Sequence, residues 1–403
     1  MTRPIWDALI GQDEVVARLS RAVQDAESLT RGEPGPAMTH AWLVTGPPGS
    51  GRSTAATSFA AALVCPEQGC GQCQGCRMAA VNGHPDVEII RPAALTYGVD
   101  EARDLVRLAA MSPSAAQWHV VVLEDADRLT DQAANVLLKA IEEPPRHTVW
   151  LLCAPSVEDV LPTIASRTRQ VGLATPATSA VADLLVERYG IDRSLAAFAA
   201  RASQGHIGRA RALATDEQVR IRRQEILRIP AQLQDLPSCF VLAANLLDAA
   251  SEDAAALTEP IDQAEEVSLR TSYGADGSSR IKGQLRRSME AAAKDLTRRQ
   301  KVRSTRVVRD QVDRALVDLI GLYRDVLVIQ LDAPVALINE EMRPQLARLA
   351  SAATPTDTGR RLQAIGYARE QIAANVTPIM ALESMMVELK DPWIRTASPP
   401  AGA

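Results

Sequence analysis

An apolar run, Ala41–Thr45, leads into Gly46, Gly49, Gly51, Arg52 and Ser53, and then into a helix-forming stretch that opens with Thr54. The spacing is G-x-x-x-x-G-x-[ST], that of a phosphate-binding loop. In such loops backbone N–H groups and a helix N-terminus cradle the β-phosphate while a lysine neutralises the β/γ oxygens. Here Arg52 stands in the lysine's place. Its planar fork keeps the charge but is bulkier than a point-charge ammonium and is not conservative at a fitted site. The loop has the build of a nucleotide switch with impaired turnover. ATP or ADP with Mg²⁺ is the ligand its form calls for, and the residues leave open whether the altered loop retains it.

A second apolar run, His119–Leu123, closes on Glu124 and Asp125. A strand ending on two acids is the other half of such a site, one acid holding Mg²⁺ and the next polarising the attacking water. The usual order is Asp then Glu, and this chain inverts it. Sliding to Asp125–Asp127 does not restore it, because a one-residue slip turns every side chain to the other face. An acidic strand terminus in a plain turn is the alternative reading.

Cys65, Cys70, Cys73 and Cys76 form C-x4-C-x2-C-x2-C, with glycines between them. Four thiolates at this spacing suit a tetrahedral structural zinc ion, which has no open position for a substrate. The overlapping short spacings disfavour disulfides, and four clustered cysteines disfavour a catalytic redox pair. Cys153 and Cys239 lie in apolar surroundings and read as inert core residues, and His84 as superfluous to a complete cysteine set. Further on, Leu161–Thr168 (LPTIASRT) places Arg167 after a serine near the end of the strand–helix region. It reads either as a surface residue or as an arginine finger toward a neighbouring subunit's γ-phosphate, a contact worth roughly 10³–10⁵ in rate.

The elements that must position these groups alternate. Strands are expected at Ala41–Thr45, Asp86–Ile90, His119–Leu123, Thr148–Cys153 and Arg169–Leu173. Helices are expected between them at Glu14–Ala26, Ser53–Val64, Asp100–Met111 and Thr130–Glu143. That is the pattern of a mostly parallel sheet covered by helices on both faces. Residues 1–173 form this α/β domain with the cysteine module. Residues 174–216 form a short helical domain, residues 217–395 a second helical domain, and residues 396–403 a disordered tail. A basic insertion lies near residues 273–309: after the breaker Tyr273–Ser279, Arg280–Arg309 holds eleven Lys/Arg against two acids. It reads as a solvated helix surface or as an arm facing nucleic acid or an acidic partner.

Composition bounds the function. The 403 residues are 46 % hydrophobic but only 3 % aromatic, so the cores must be built from Ala, Leu, Val and Ile. A net charge of −5 argues against coating nucleic acid by bulk charge. No run of about 18 apolar residues is present, so no membrane span is expected. The N-terminal MTRPIWDALIGQDE lacks the apolar core of a signal peptide. A cytoplasmic setting with reduced cysteines is expected.

Together these residues resemble the clamp-loader branch of the AAA+ ATPases over nearly the whole chain. Ala8–Val23 looks like that family's adenine-pocket segment, and His40–Ser53 like its strand and phosphate loop. The cysteines look like the zinc module of its bacterial members. Leu129–Pro145 (LTDQAANVLLKAIEEPP) is similar to their N-A-L-L-K-x-L-E-E-P-P run, Ser166–Arg167–Thr168 to the S-R-C motif with the trans-acting finger, and Asn375–Leu389 to the last collar helix. The resemblance implies a RecA-like AAA+ domain, a helical lid and an all-helical collar for assembly. Val312–Gln330 (VDRALVDLIGLYRDVLVIQ), within that collar, is apolar over most of a face, which suits burial against neighbouring subunits. The partners that the resemblance implies are the motor (gamma/tau) and delta subunits of the DNA polymerase III holoenzyme, the sliding clamp and primer-template DNA.

The departures select within the branch. Arg52 and Glu124–Asp125 are altered, Ala154–Pro155 stands where a polar sensor is usual, and Arg209 falls one residue late for the lid sensor, a rotation of about 100° on a helix. With Ser166–Arg167 intact, this is the pattern of the stationary, hydrolysis-deficient subunit, which catalyses nothing on its own. A working gamma/tau-type motor ATPase is the alternative. It would need Arg52 and Glu124 in altered roles.

Overall fold

The structure, a computed structural model, describes residues 4–92, 96–273 and 284–391. The chain divides into two compact units, Met1–Thr215 and Asp216–Ala403.

The first unit is built on five parallel strands with α1 (Asp13–Thr30) preceding them. In chain order they are β1 (Ala41–Thr45), α2 (Arg52–Leu63), α3 (Gln74–Ala80), β2 (Val87–Ile90), α4 (Val99–Ala109), β3 (His119–Leu123), α5 (Asp131–Glu142), β4 (Thr148–Ala154), α6 (Pro162–Ala165) and β5 (Arg169–Gly172). The sheet order is β2-β3-β4-β1-β5, and every pairing is parallel. Each expected strand and helix forms within a few residues of its expected bounds. β1, β3 and β4 are buried along their whole length, which is why they read as continuous apolar runs. Side chains leave a strand alternately on its two faces, and two cores result. Trp42, Val44, Val120, Val122, Val149 and Leu151 pack with α1 and α2. Leu43, Val121, Leu123, Trp150 and Leu152 pack with α4 and α5.

The small-residue composition shows in α2, where Ala55, Ala56, Ala60, Ala61 and Ala62 are all buried and let the helix lie close to the sheet. Buried Asp86 fastens the edge before β2. Its carboxylate accepts from Ser114 N and Oγ, Ala115 N and Ala116 N at 2.6–2.9 Å. Burial alone would raise its pKa, but these donors outweigh it and hold the carboxyl below the usual range. Three helices complete the unit: α7 (Thr178–Tyr189), α8 (Arg193–Ala202) and α9 (Ile207–Thr215).

The described residues of the second unit contain no strand. They form α10 (Glu217–Gln232), α11 (Leu236–Ser272), α12 (Gln284–Gln330), α13 (Arg343–Ala352), α14 (Pro355–Ala373) and α15 (Pro378–Lys390). Val312, Leu316, Leu319, Leu322, Tyr323 and Val326 are buried in this unit's own core. The apolar face of residues 312–330, expected from sequence to suit neighbouring subunits, is therefore occupied within the chain. Arg223, 5 % exposed, donates to Asp318 at 3.1 Å and to Asn339 inside this core. Residues 274–283 of the basic insertion and the tail expected at 396–403 lie outside the described residues. Among the described residues no helix is long and apolar enough to cross a membrane.

Candidate nucleotide and metal sites

The phosphate loop lies where its sequence placed it, between the end of β1 and the start of α2. Gly51 is the residue before α2 and has φ 96°, a left-handed conformation that favours glycine. The loop is tied at its base by Gly46 N–H donating to Pro155 O at 3.1 Å. Ser53 and Thr54, on the first turn of α2, line a cleft of about 740 Å³ together with Asp7, Arg91, Glu187 and Arg188. The loop's glycine turn and the first turn of α2 are thus formed as the sequence pattern requires.

Its charges are engaged elsewhere. Arg52 turns back on the loop and donates through Nη1 to Gly46 O at 2.5 Å. Glu124, at the end of β3, is gripped by Arg91, whose Nε and Nη2 donate to Oε2 and Oε1 at 2.8 and 3.2 Å. This two-point pair raises the Arg91 pKa, its hydrogen bond to Glu124 outweighing desolvation. Tyr97 Oη donates to Glu124 O at 2.7 Å and fixes the strand end. Asp125 takes a left-handed φ of 51° and lies 3.9 Å from Arg128, so the second acid faces a cation of its own turn.

The loop also has a lid over its middle glycine. His206, between α8 and α9, packs so closely on Gly49 that a Cβ there would lie 2.5 Å from His206 Cα and Cβ. Gly49 itself has φ +85°. On the same segment Arg209 N–H donates to His206 Nδ1 at 3.2 Å. Ala154, which ends β4 where the resemblance puts a sensor, is buried and brings no polar side chain.

Arg167 is exposed and follows α6. It is held by Glu142 Oε2 at 3.0 Å, at the end of α5, and by Thr163 O at 3.0 Å. None of these partners belongs to the phosphate loop or the β3 end, so the guanidinium stands apart from its own chain's site residues.

The four clustered cysteines converge. All their sulfurs lie within 4.8 Å of one another, with Cys65–Cys70 at 3.6 Å and Cys65–Cys73 at 3.7 Å. A tetrahedron with bonds of about 2.3 Å has edges of about 3.8 Å, so the set fits one tetrahedral ion. Backbone N–H groups of Cys70, Cys73 and Cys76 donate to the sulfurs of Cys65, Cys70 and Cys73. Those of Gln72 and Cys73 pull the Cys70 thiol down to about 7, whereas burial pushes Cys73 and Cys76 up. His84 stands outside the set, its Nδ1 accepting from Asp86 N–H at 3.1 Å. Cys153 and Cys239 are buried, and burial raises both thiols, as inert core residues require.

Residues 25–177 match the family described as DNA polymerase III, delta subunit. The match takes in 153 of the 403 residues. The chain is 37 % identical over 147 residues to DNA polymerase III subunit delta' of Pseudomonas aeruginosa, covering 35 % of this chain and 45 % of that protein. It is 33 % identical over 180 residues to the Escherichia coli subunit delta', covering 43 % and 54 %. It is 32 % identical over 165 residues to subunit gamma/tau of Mycobacterium tuberculosis, covering 40 % and 27 %. The chain thus spans about a quarter to a half of the length of these relatives. The family match covers the loop, the cysteines, both acids and Arg167.

Arg91 and the His206 contact were not read from sequence as parts of this site. Arg91 had a usable signal. β2 and β3 are parallel with Ile90 opposite Leu123, so the residues that follow each strand, Arg91 and Glu124, are neighbours of opposite charge. The His206–Gly49 contact joins positions far apart in the chain and had none.

Proposed function

We infer that this chain is the delta-prime-type subunit of a DNA polymerase III clamp loader. In this reading it does not hydrolyse ATP itself and completes the site of a neighbouring motor subunit during loading of the sliding clamp onto primed DNA. One observation carries the inference: the loop's cation, Arg52, is bonded to the loop's own Gly46 carbonyl. A guanidinium held there does not reach the β/γ oxygens that a loop lysine would neutralise. The Arg91–Glu124 pair supports the same reading by engaging the acid that would hold Mg²⁺. The gamma/tau-type motor reading needs both groups released.

Arg167 supplies the remaining chemistry in trans. It stabilises charge on the γ-phosphoryl group of ATP bound to the adjacent motor subunit, and its exposure suits that reach. Cys65, Cys70, Cys73 and Cys76 hold a structural Zn²⁺. Residues 1–173 serve as the AAA+ domain, 174–216 as the lid and 217–395 as the collar that joins motor and delta subunits. The cytoplasm is the setting.

Arg167→Ala in a reconstituted loader tests the assignment. Assembly and metal content should be unchanged, while DNA- and clamp-stimulated ATP hydrolysis should fall in part, since sites between motor subunits keep their own fingers. Arg167→Lys should rescue weakly, a point charge replacing a fork. A loader carrying Arg167→Ala that loads clamps like the parent makes Arg167 a surface residue.

A further inference from the structure

Residues 284–309 of the basic insertion form, in the second unit, one half of an antiparallel helical arm. Outward from the unit's core, α11 and the start of α12 run side by side. Arg303 pairs with Asp262 and Glu265, Gln300 Nε2 donates to Asp262 O at 3.2 Å, and Tyr273 Oη lies 3.3 Å from Ser288 Oγ. Leu296 is buried between the helices. These contacts fix which face of α12 turns inward: the one bearing Leu296, Gln300 and Arg303.

On the opposite face stand Arg287, Lys294, Arg298 and Lys301, all exposed. Their spacings of seven, four and three residues put them within about 60° of one another around the helix and along about 21 Å of its length. Other cations of the arm are paired, Arg286 with Glu290, Arg299 with Asp295 and Arg303 with α11. These four have no ion-pair partner among the described residues. A solvated helix surface normally interleaves its charges with opposite ones at i,i+3 or i,i+4. This row does not.

We propose that this row is a binding face for duplex DNA, engaged through the phosphate backbone. A straight line of cations whose neighbouring acids are already paired with other arginines suits a rigid polyanion. The face has none of the exposed aromatic or aliphatic anchors that centre protein interfaces, the exposed residues beside the row being Glu290, Ala291 and Thr305. Binding of single strands relies on aromatic stacking, and residues 284–322 contain no aromatic residue. The face is sequence-indifferent, and it stands whether or not the clamp-loader reading holds.

The test is fluorescence anisotropy with the full chain and a labelled 30-base-pair duplex across a KCl series. Four phosphate contacts predict a log–log salt slope of about −3.6, so affinity should fall about 100-fold between 50 and 200 mM. The variant Arg287→Gln/Lys294→Gln/Arg298→Gln/Lys301→Gln should bind about 30-fold or more weakly at 50 mM, with a flatter slope. A charge-matched control at paired surface arginines, Arg31→Gln/Arg103→Gln/Arg107→Gln/Arg343→Gln, should lose about 3-fold or less. Equal losses in the two variants would overturn the proposal, net charge alone then sufficing. A single-stranded 30-mer bound more tightly than the duplex would overturn it too. So would binding of poly-glutamate with no binding of duplex, which assigns the face to an acidic protein segment. Because the parent chain's own slope is measured, a variant that failed to fold would leave the proposal open to refutation.

Discussion

The phosphate loop and the cysteine module share one unit and differ in what each has kept. The loop has kept its backbone: the glycines, the left-handed entry to α2 and the cleft beside Ser53 and Thr54. Its charged groups have turned inward, Arg52 to Gly46 O and Glu124 to Arg91. The cysteine module has kept its chemistry, four sulfurs at near-tetrahedral separations with backbone N–H groups aimed at them. A loop whose form supports the packing of β1, α2 and the His206 segment can persist without turnover. A metal site that lost one ligand would lose its ion and the local fold with it.

That comparison can be broken most severely at the cysteines. Cys73→Ser should abolish stoichiometric metal, read by native mass spectrometry. Losing the ion's binding energy should cost the first unit about 2 kcal/mol or more, a fall of about 4–8 °C in its unfolding midpoint. A parent protein purified metal-free with four free thiols would contradict the metal assignment outright.

A change at the loop should act on packing rather than on turnover. Gly49→Ala places a methyl against His206 at a positive φ and should destabilise by about 2 kcal/mol. His206→Ala should relieve part of that loss in the double variant, a coupling that a thermal-melt cycle would read. Additive losses would mean that the two residues do not bear on each other.

The smallest effect belongs to the ion pair beside the loop. Arg91 is 68 % exposed and Glu124 12 %. Discounted for solvent, Arg91→Gln should cost under about 1 kcal/mol, and less in high salt. A loss of several kcal/mol would make the pair a structural keystone rather than a local neutralisation of the acid.

Much of this was legible in the sequence, and the limits have physical causes. Strands buried on both faces announce themselves as apolar runs, so β1, β3 and β4 fell where Ala41–Thr45, His119–Leu123 and Thr148–Cys153 were expected. Glycine spacing and cysteine spacing are local, and both motifs folded locally. Periodicity reports that a face is buried but not by what, so the apolar face of residues 312–330 suggested a neighbouring subunit when this unit's own core covers it. Unusual charge in residues 280–309 was visible, but which cations remained unpaired depended on α11, a partner about forty residues away. Arg52's substitution was visible too. Its turn onto Gly46 O was not, because side-chain direction is set by the folded loop.

Steady-state ATP hydrolysis by the isolated chain, at saturating Mg·ATP, tests the central claim most directly. With Arg52 bonded to the loop and Glu124 paired, turnover should stay at background, and Arg52→Lys alone should not raise it, since the inverted acids and Ala154 remain. A rate on the order of 1 s⁻¹ or more, within the range of working phosphoryl-transfer enzymes, would contradict the account and make this chain a motor.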